Sequence, residues 1–142
     1  MRMRASAMAA FSVAVTTLPL IAGCGQQRSC MPEPLTVRPD TAQVGTSVVV
    51  SSPSTTCDLG YPAAGVIYRL ELLSDARAPD QPEATEAKAH VASDGSFSTS
   101  LAIPTGFPTG PATVLVSGSA LDQCQEEGAS CAAYQVRLNV TD

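Results

Sequence analysis

One histidine and five cysteines are the side chains of this sequence best suited to chemistry at neutral pH. His90 is the only possible imidazole base, so a hydrolase with a Ser-His-Asp arrangement would have to use it. It lies between Ala89 and Val91 and no Gly-x-Ser-x-Gly motif accompanies it, which favours an exposed strand histidine. We therefore predict that the protein is not an enzyme, with a hydrolase that uses His90 as the remote alternative.

Acidic side chains are the remaining candidates for chemistry, because carboxylate oxygens are calcium ligands. Their spacing does not match an EF-hand loop, and the ten glycines are scattered singly, so no phosphate-binding loop is formed either. We predict solvated loops, with no metal and no cofactor. The acidic residues in question are Asp75, Asp80, Glu83 and Glu86 in one Ala- and Pro-rich connection, and Glu126 and Glu127 in another.

The N-terminus has the pattern of an export signal. Arg2 and Arg4 precede the uncharged stretch 5–22, which closes on small residues. The sequence Leu20-Ile21-Ala22-Gly23-Cys24 resembles the lipobox of bacterial lipoproteins, which implies cleavage before Cys24 and acylation of its thiol and new amino group. An ordinary signal peptide or an uncleaved membrane anchor are the alternatives. The expected segments are a signal peptide (1–23), a lipidated cysteine with a short spacer (24–33) and a domain (34–142).

The net charge of the chain is consistent with a lipid anchor. The net charge is −5, and cleavage would remove Arg2 and Arg4 while keeping all 13 acidic residues, leaving about −7. A negative domain is repelled by anionic headgroups and by nucleic acid. We therefore predict attachment through the lipid on Cys24, at the outer face of a bacterial cell membrane, and no nucleic-acid partner.

Apolar residues alternate with polar ones, with a period of two, along most of the chain after position 34. Only 15% of residues are charged and 4% aromatic, which disfavours a helical bundle. Asp94-Gly95 predicts a tight type I′ hairpin. Seven short strands in such a chain are typical of an antiparallel sandwich. The predicted strands are one at Leu35 and Val37, then 47–52, 66–73, 87–93, 96–103, 113–117 and 134–141.

The turns between these strands resemble those of bacterial immunoglobulin-like domains. The similar segments are Val44-Gly45-Thr46-Ser47-Val48, Asp94-Gly95-Ser96-Phe97 and Pro108-Thr109-Gly110-Pro111-Ala112. The resemblance implies a single all-β, antiparallel immunoglobulin-like sandwich of about seven strands. The sequence lacks the tryptophan and the mid-strand cysteine pair of antibody domains. These motifs consist of residues that favour turns, so they indicate a fold rather than an activity.

Four cysteines remain once Cys24 is acylated, and an even number in an exported chain favours two disulfides. In a seven-strand sandwich all four would lie at the pole where the first strand begins. We prefer Cys30 with Cys57 and Cys124 with Cys131, and Cys57 with Cys124 or Cys131 is the alternative. A structural zinc site is a further alternative, although no Cys-x-x-Cys pair is present.

The expected function is that of a non-catalytic interaction or structural module of the cell envelope, with an envelope protein as its partner. The loop 61–65 at the cysteine end is a candidate recognition surface, since such loops often carry binding residues. A small-ligand carrier with a cleft in the sandwich, similar to the seven-stranded chromoprotein antibiotics, is the alternative.

Overall fold

The computed structural model describes residues 30–76, 85–125 and 133–142. The predicted signal segment 1–23 and Cys24 lie outside these residues. Within them no helix is long and apolar enough to cross a bilayer. The elements are β1 (Thr36–Arg38), β2 (Thr41–Gln43), β3 (Ser47–Ser52), β4 (Val66–Ser74), β5 (Thr85–Val91), β6 (Phe97–Ala102), β7 (Gly110–Ser117), a 3₁₀ helix (Ala120–Gln125) and β8 (Gln135–Thr141).

The strands form two sheets whose buried faces share one hydrophobic core. The smaller sheet has the order β1-β3-β6, and the larger has the order β2-β8-β7-β4-β5. The predicted all-β immunoglobulin-like sandwich is confirmed. Strand β6 lies close to β5, and β1 lies close to β8. The two sheets therefore face each other with these strands adjacent.

The core follows the alternation read from the sequence. Along β4, Tyr68, Leu70 and Leu72 are fully buried while Arg69 is exposed. Phe97, predicted to be a core residue, is buried at the start of β6. Successive side chains of a strand point to opposite faces, so an apolar residue at every second position fills the interior of a sandwich. The other fully buried large side chains are Val48, Val50, Leu101, Ile103, Val114, Val116 and Val140.

The predicted hairpin around Asp94-Gly95 is wrong in two respects. Strand β5 pairs with β4 and β6 pairs with β3, so the turn joins the two sheets rather than two paired strands. The Gly95 amide donates to the Ala92 carbonyl at 2.9 Å, and the Ala92 amide donates to the Ser96 carbonyl at 2.9 Å. These bonds close a loop of Ser93, Asp94 and Gly95, with φ +84° at Gly95, instead of a two-residue type I′ turn.

Strand β2 was not predicted, and it brings the number of strands in the described residues to eight. After β1 the chain passes Pro39 and Asp40, leaves the smaller sheet and joins the edge of the larger one. There β2 runs parallel to β8, with Thr41 opposite Asn139, so the sandwich is not purely antiparallel. A three-residue strand is too short to show a clear alternation, which is why the pattern did not reveal it.

One end of the sandwich collects the described segments that carry Cys30, Cys57 and Cys124. We call it the cysteine pole and define it as residues 30–35, 53–65, 92–96 and 118–125. The pairing of Thr36 with Ser51 brings the start of β1 to the end of β3. The pairing of Leu115 with Gln135 brings the end of β7 to the start of β8 at the same end. Cys124 lies on the 3₁₀ helix of this pole, and its predicted partner Cys131 lies outside the described residues.

Candidate functional site

A disulfide joins Cys30 to Cys57 at the cysteine pole, with a Cα–Cα distance of 5.7 Å. This confirms one of the two preferred pairings. The loop that holds Cys57 is fixed further, because the Thr55 hydroxyl donates to the Cys57 carbonyl at 2.7 Å. The Thr55 amide also donates to the Asp94 carbonyl at 2.9 Å. The chain that precedes β1 is therefore tied covalently to a loop that itself contacts the turn before β6.

An aromatic cluster near the cysteine pole contains all three tyrosines of the chain. The Tyr68 ring is at its centre, with ring centroids 6.4 Å from Tyr61, 6.1 Å from Tyr134 and 5.4 Å from Phe97, each in an edge-to-face arrangement. Such geometry places the positive edge of one ring against the negative face of the next. Tyr68, Phe97 and Tyr134 are buried, so these rings form the part of the hydrophobic core nearest the cysteine pole.

Hydrogen bonds of the tyrosine hydroxyls connect the segments of the cysteine pole. The Tyr61 and Tyr68 hydroxyls are 2.8 Å apart, and the Ala120 amide donates to the Tyr61 hydroxyl at 3.1 Å. The Tyr134 hydroxyl donates to the Glu33 carbonyl at 2.8 Å. In the described part of the chain, no buried side-chain nitrogen or oxygen lacks a hydrogen-bond partner. The loop 61–65, a predicted recognition surface, is therefore anchored by Tyr61 to the 3₁₀ helix.

Burial raises the pKa of Tyr68 and of Tyr134 above the ordinary tyrosine value, and the hydrogen bond from Tyr61 raises that of Tyr68 further. A phenolate at either position would be a charge without water around it. Both side chains are therefore neutral hydrogen-bonding groups in the folded protein at neutral pH. They serve to hold the pole together rather than to transfer protons.

This predicts an alkaline loss of stability. Because the folded pKa values are raised, the stabilisation is complete below the unfolded value of about 10 and is lost as the pH rises through the folded values. We expect the free energy of unfolding, measured in urea from about pH 8 to about pH 11, to fall above about pH 10. Tyr68→Phe should make that fall shallower, while costing about 1 kcal/mol at neutral pH through the lost Tyr61 partner. An unchanged alkaline slope in Tyr68→Phe would contradict the assignment.

His90 lies on β5, on the exposed face of the larger sheet. It stands opposite Ile67 on β4, and Lys88 is its neighbour on the same strand face. Neither side chain supplies the hydroxyl or the carboxylate that a catalytic triad requires. The predicted position of His90, an exposed strand residue, is confirmed.

The acidic residues considered for calcium are distributed over different features. Asp75 follows β4 and accepts a hydrogen bond from the Thr113 hydroxyl at 3.4 Å, whereas Glu86 lies on β5 opposite Glu71. Asp80, Glu83, Glu126 and Glu127 lie outside the described residues. Among the residues that the structure does describe, no group of three His, Cys, Asp or Glu side chains could hold a metal ion.

The outward face of the larger sheet carries an arrangement that the sequence analysis missed. Strand register places Arg69 directly opposite Lys88, and Glu71 directly opposite Glu86. Two rows of like charge thus lie side by side across β4 and β5, one positive and one negative. Ile67, which is 56% exposed, flanks the positive row. We call the residues Ile67, Arg69, Glu71, Leu73, Glu86 and Lys88 the charged face.

The fold and these sites define the chain as an immunoglobulin-like β-sandwich with a disulfide and an aromatic cluster at one pole and a charged, exposed sheet face. Comparison of the chain with protein-family models, with curated proteins and with solved structures finds no match.

Proposed function

We propose that this chain is a bacterial envelope lipoprotein, anchored through an acylated Cys24, whose sandwich is a non-catalytic interaction module related to bacterial immunoglobulin-like domains. The observation that carries the proposal is the Cys30–Cys57 disulfide. It fastens the chain to the domain immediately after the spacer that would follow the lipid. An anchor at Cys24 would therefore act on the folded domain and not on a loose tail.

The length of the spacer supports a domain held close to the bilayer. Residues 25–29 separate Cys24 from Cys30 and reach about 17 Å when fully extended. Since Cys30 lies at the cysteine pole, that pole would stay near the membrane. The sheet faces and the opposite pole would then be available to other envelope components.

The interactions available for membrane attachment also favour a lipid anchor over electrostatic binding. With a net charge of about −7 after cleavage, the domain has no electrostatic attraction to an anionic surface. Several acyl chains at about 0.8 kcal/mol per buried CH₂ hold a protein durably, whereas one chain is marginal. The triply acylated cysteine that a lipobox implies would supply that number of chains.

The proposal is tested by Cys24→Ser in the full chain, expressed in a bacterial host. We expect the unaltered chain in the membrane fraction, with an N-terminal peptide that begins at Cys24 and carries the mass of its acyl groups. The serine variant, which offers no thiol to the lipid donor, should lose that mass and its cleavage before position 24.

Cys30→Ser is the matched control for this experiment, because it removes a nearby cysteine that the anchor does not use. Its N-terminal peptide should remain acylated. A full-length or unacylated mass for the unaltered chain would overturn the lipoprotein proposal.

A further inference from the structure

We propose that the charged face binds the same face of a second copy of this chain, related by a twofold axis that runs across the strands between the two charged rows. The inference rests on the proposed interaction function and names its partner. It concerns the described domain and does not depend on how the chain is anchored.

Within one chain, each of the four charged side chains lies directly opposite a side chain of its own sign. Like charges directly opposite one another on neighbouring antiparallel strands repel. Arg69 faces Lys88 and Glu71 faces Glu86, so both cross-strand pairs have this arrangement. A surface that brings a negative group to the positive row and a positive group to the negative row would relieve both repulsions at once.

A second copy supplies that surface. Rotation about an axis between the rows places the positive row of one copy on the negative row of the other. Arg69 then meets the second copy's Glu71, and Lys88 meets the second copy's Glu86. Each of these contacts occurs twice, as in any isologous interface, which gives four pairs of opposite charge.

The apolar residues of β4 follow the same symmetry. Ile67 and Leu73 flank the charged pair on the same face, in the order apolar, positive, negative, apolar. The proposed axis places the exposed Ile67 of one copy on the half-buried Leu73 of the other. Strand β4 of one copy thus carries a pattern that is complementary to β4 of a second copy that runs in the opposite direction.

The contact between the two copies would be small. The axis passes at residue 70 of β4, so residues 66–74 overlay their own reverse, whereas β8 lies wholly on one side of the axis. The overlap of β4 with the facing parts of β5 and β7 is about 17 residues at about 3.3 by 4.8 Å, or roughly 540 Å² in total for both copies, the size of a weak, transient interface. Sheets packed face to face with nearly aligned strands are a common arrangement in sandwiches.

The axis also sets the relative orientation of the two copies. It runs from the β2 edge of the larger sheet to the β5 edge. Both copies therefore present their β2 edges in the same direction, whereas their cysteine poles lie at opposite ends of the dimer. An axis parallel to the strands would instead bring the positive row against itself.

Charge reversal tests the proposal with the full, mature chain in detergent. In sedimentation equilibrium we expect the weight-average mass of the unaltered chain to rise above that of the monomer as its concentration increases, as for a weak dimer. Arg69→Glu alone and Glu71→Arg alone should each weaken the dimer at least tenfold, because each places like charges together twice. An equimolar mixture of the two variants should restore the dimer, as should Arg69→Glu/Glu71→Arg in one chain.

Arg38→Glu is the matched control, since Arg38 is exposed on the smaller sheet and the change in net charge is the same. It should leave the dimer unchanged. A monomeric unaltered chain, or single variants that dimerise as it does, would overturn the inference. So would a monomer whose charged face crosslinks instead to another envelope protein, and that result would leave the lipid anchor standing.

Discussion

Gly65→Ala is expected to lower the free energy of unfolding by about 3 kcal/mol or more. Gly65 has φ +77°, a conformation that costs an L-residue about 1–2 kcal/mol. A Cβ at this position would also lie 1.9 Å from the Val91 carbonyl oxygen. That oxygen belongs to the backbone, so the overlap can be relieved only by moving the chain where Val66 pairs with Val91. Urea unfolding of the variant measures the loss directly.

Gly60→Ala is the matched control, because Gly60 lies in the same connection and has φ +70°. A Cβ at Gly60 would meet no atom within 4 Å. Its substitution should therefore cost only the conformational term, about 1–2 kcal/mol. Equal losses in the two variants would show that the contact with Val91 has no energetic weight and would contradict the expected result.

Removal of the disulfide is the second large effect. Cys30→Ser/Cys57→Ser should lower the free energy of unfolding by about 3–4 kcal/mol, because the bridge closes a loop with a sequence separation of 27 and so restricts the unfolded chain. The double variant avoids a leftover thiol, and it leaves Cys124 and Cys131 unaltered. Unfolding in urea without reductant is the measurement.

The position of the disulfide predicts which part of the domain loses local stability first. Cys57 and Thr55 connect the N-terminal segment to the turn at Asp94, and Tyr134 reaches the carbonyl of Glu33 in that segment. Amide hydrogen exchange should therefore quicken at the cysteine pole before it does in β7 and β8. A loss below about 1 kcal/mol in the double variant would mean that the hydrogen bonds of the pole alone fix the segment.

Several features of the fold could be predicted from the sequence because they depend on local geometry. The alternation along β4 and β8 identifies which side chains enter the core, since neighbouring residues of any strand point to opposite sides. The placement of Cys30 and Cys57 at the same pole followed from two consecutive antiparallel strands, which return the chain to the pole where it began, and it made their pairing the preferred one; the structure then decided it against the alternative with Cys124 or Cys131. The anchor at Cys24 and the bridge between Cys124 and Cys131 remain predictions.

Other features could not be predicted because strands with the same pattern can pair in different ways. Strands β5 and β6 have the alternation of a hairpin around Asp94 and Gly95, yet each pairs with a strand of a different sheet. The aromatic cluster likewise brings Tyr134, which precedes the last strand, against the Tyr61 and Tyr68 pair that lies far earlier in the chain. A lone tyrosine in a loop, as Tyr61 is in the sequence, gives no signal that its hydroxyl binds a helix at the same pole.

The sequence by itself determined which residues of β4, β6 and β8 are buried and which are exposed, because the period of two is a property of the extended backbone alone. Only the tertiary structure decided the register that sets Arg69 opposite Lys88 and Glu71 opposite Glu86. A slip of one residue between β4 and β5 would turn one strand's charges toward the core, so the burial of Leu70 and Ala89 holds the register. The charged face is thus a product of the packing of β4 against β5, which the alternation within either strand alone does not set.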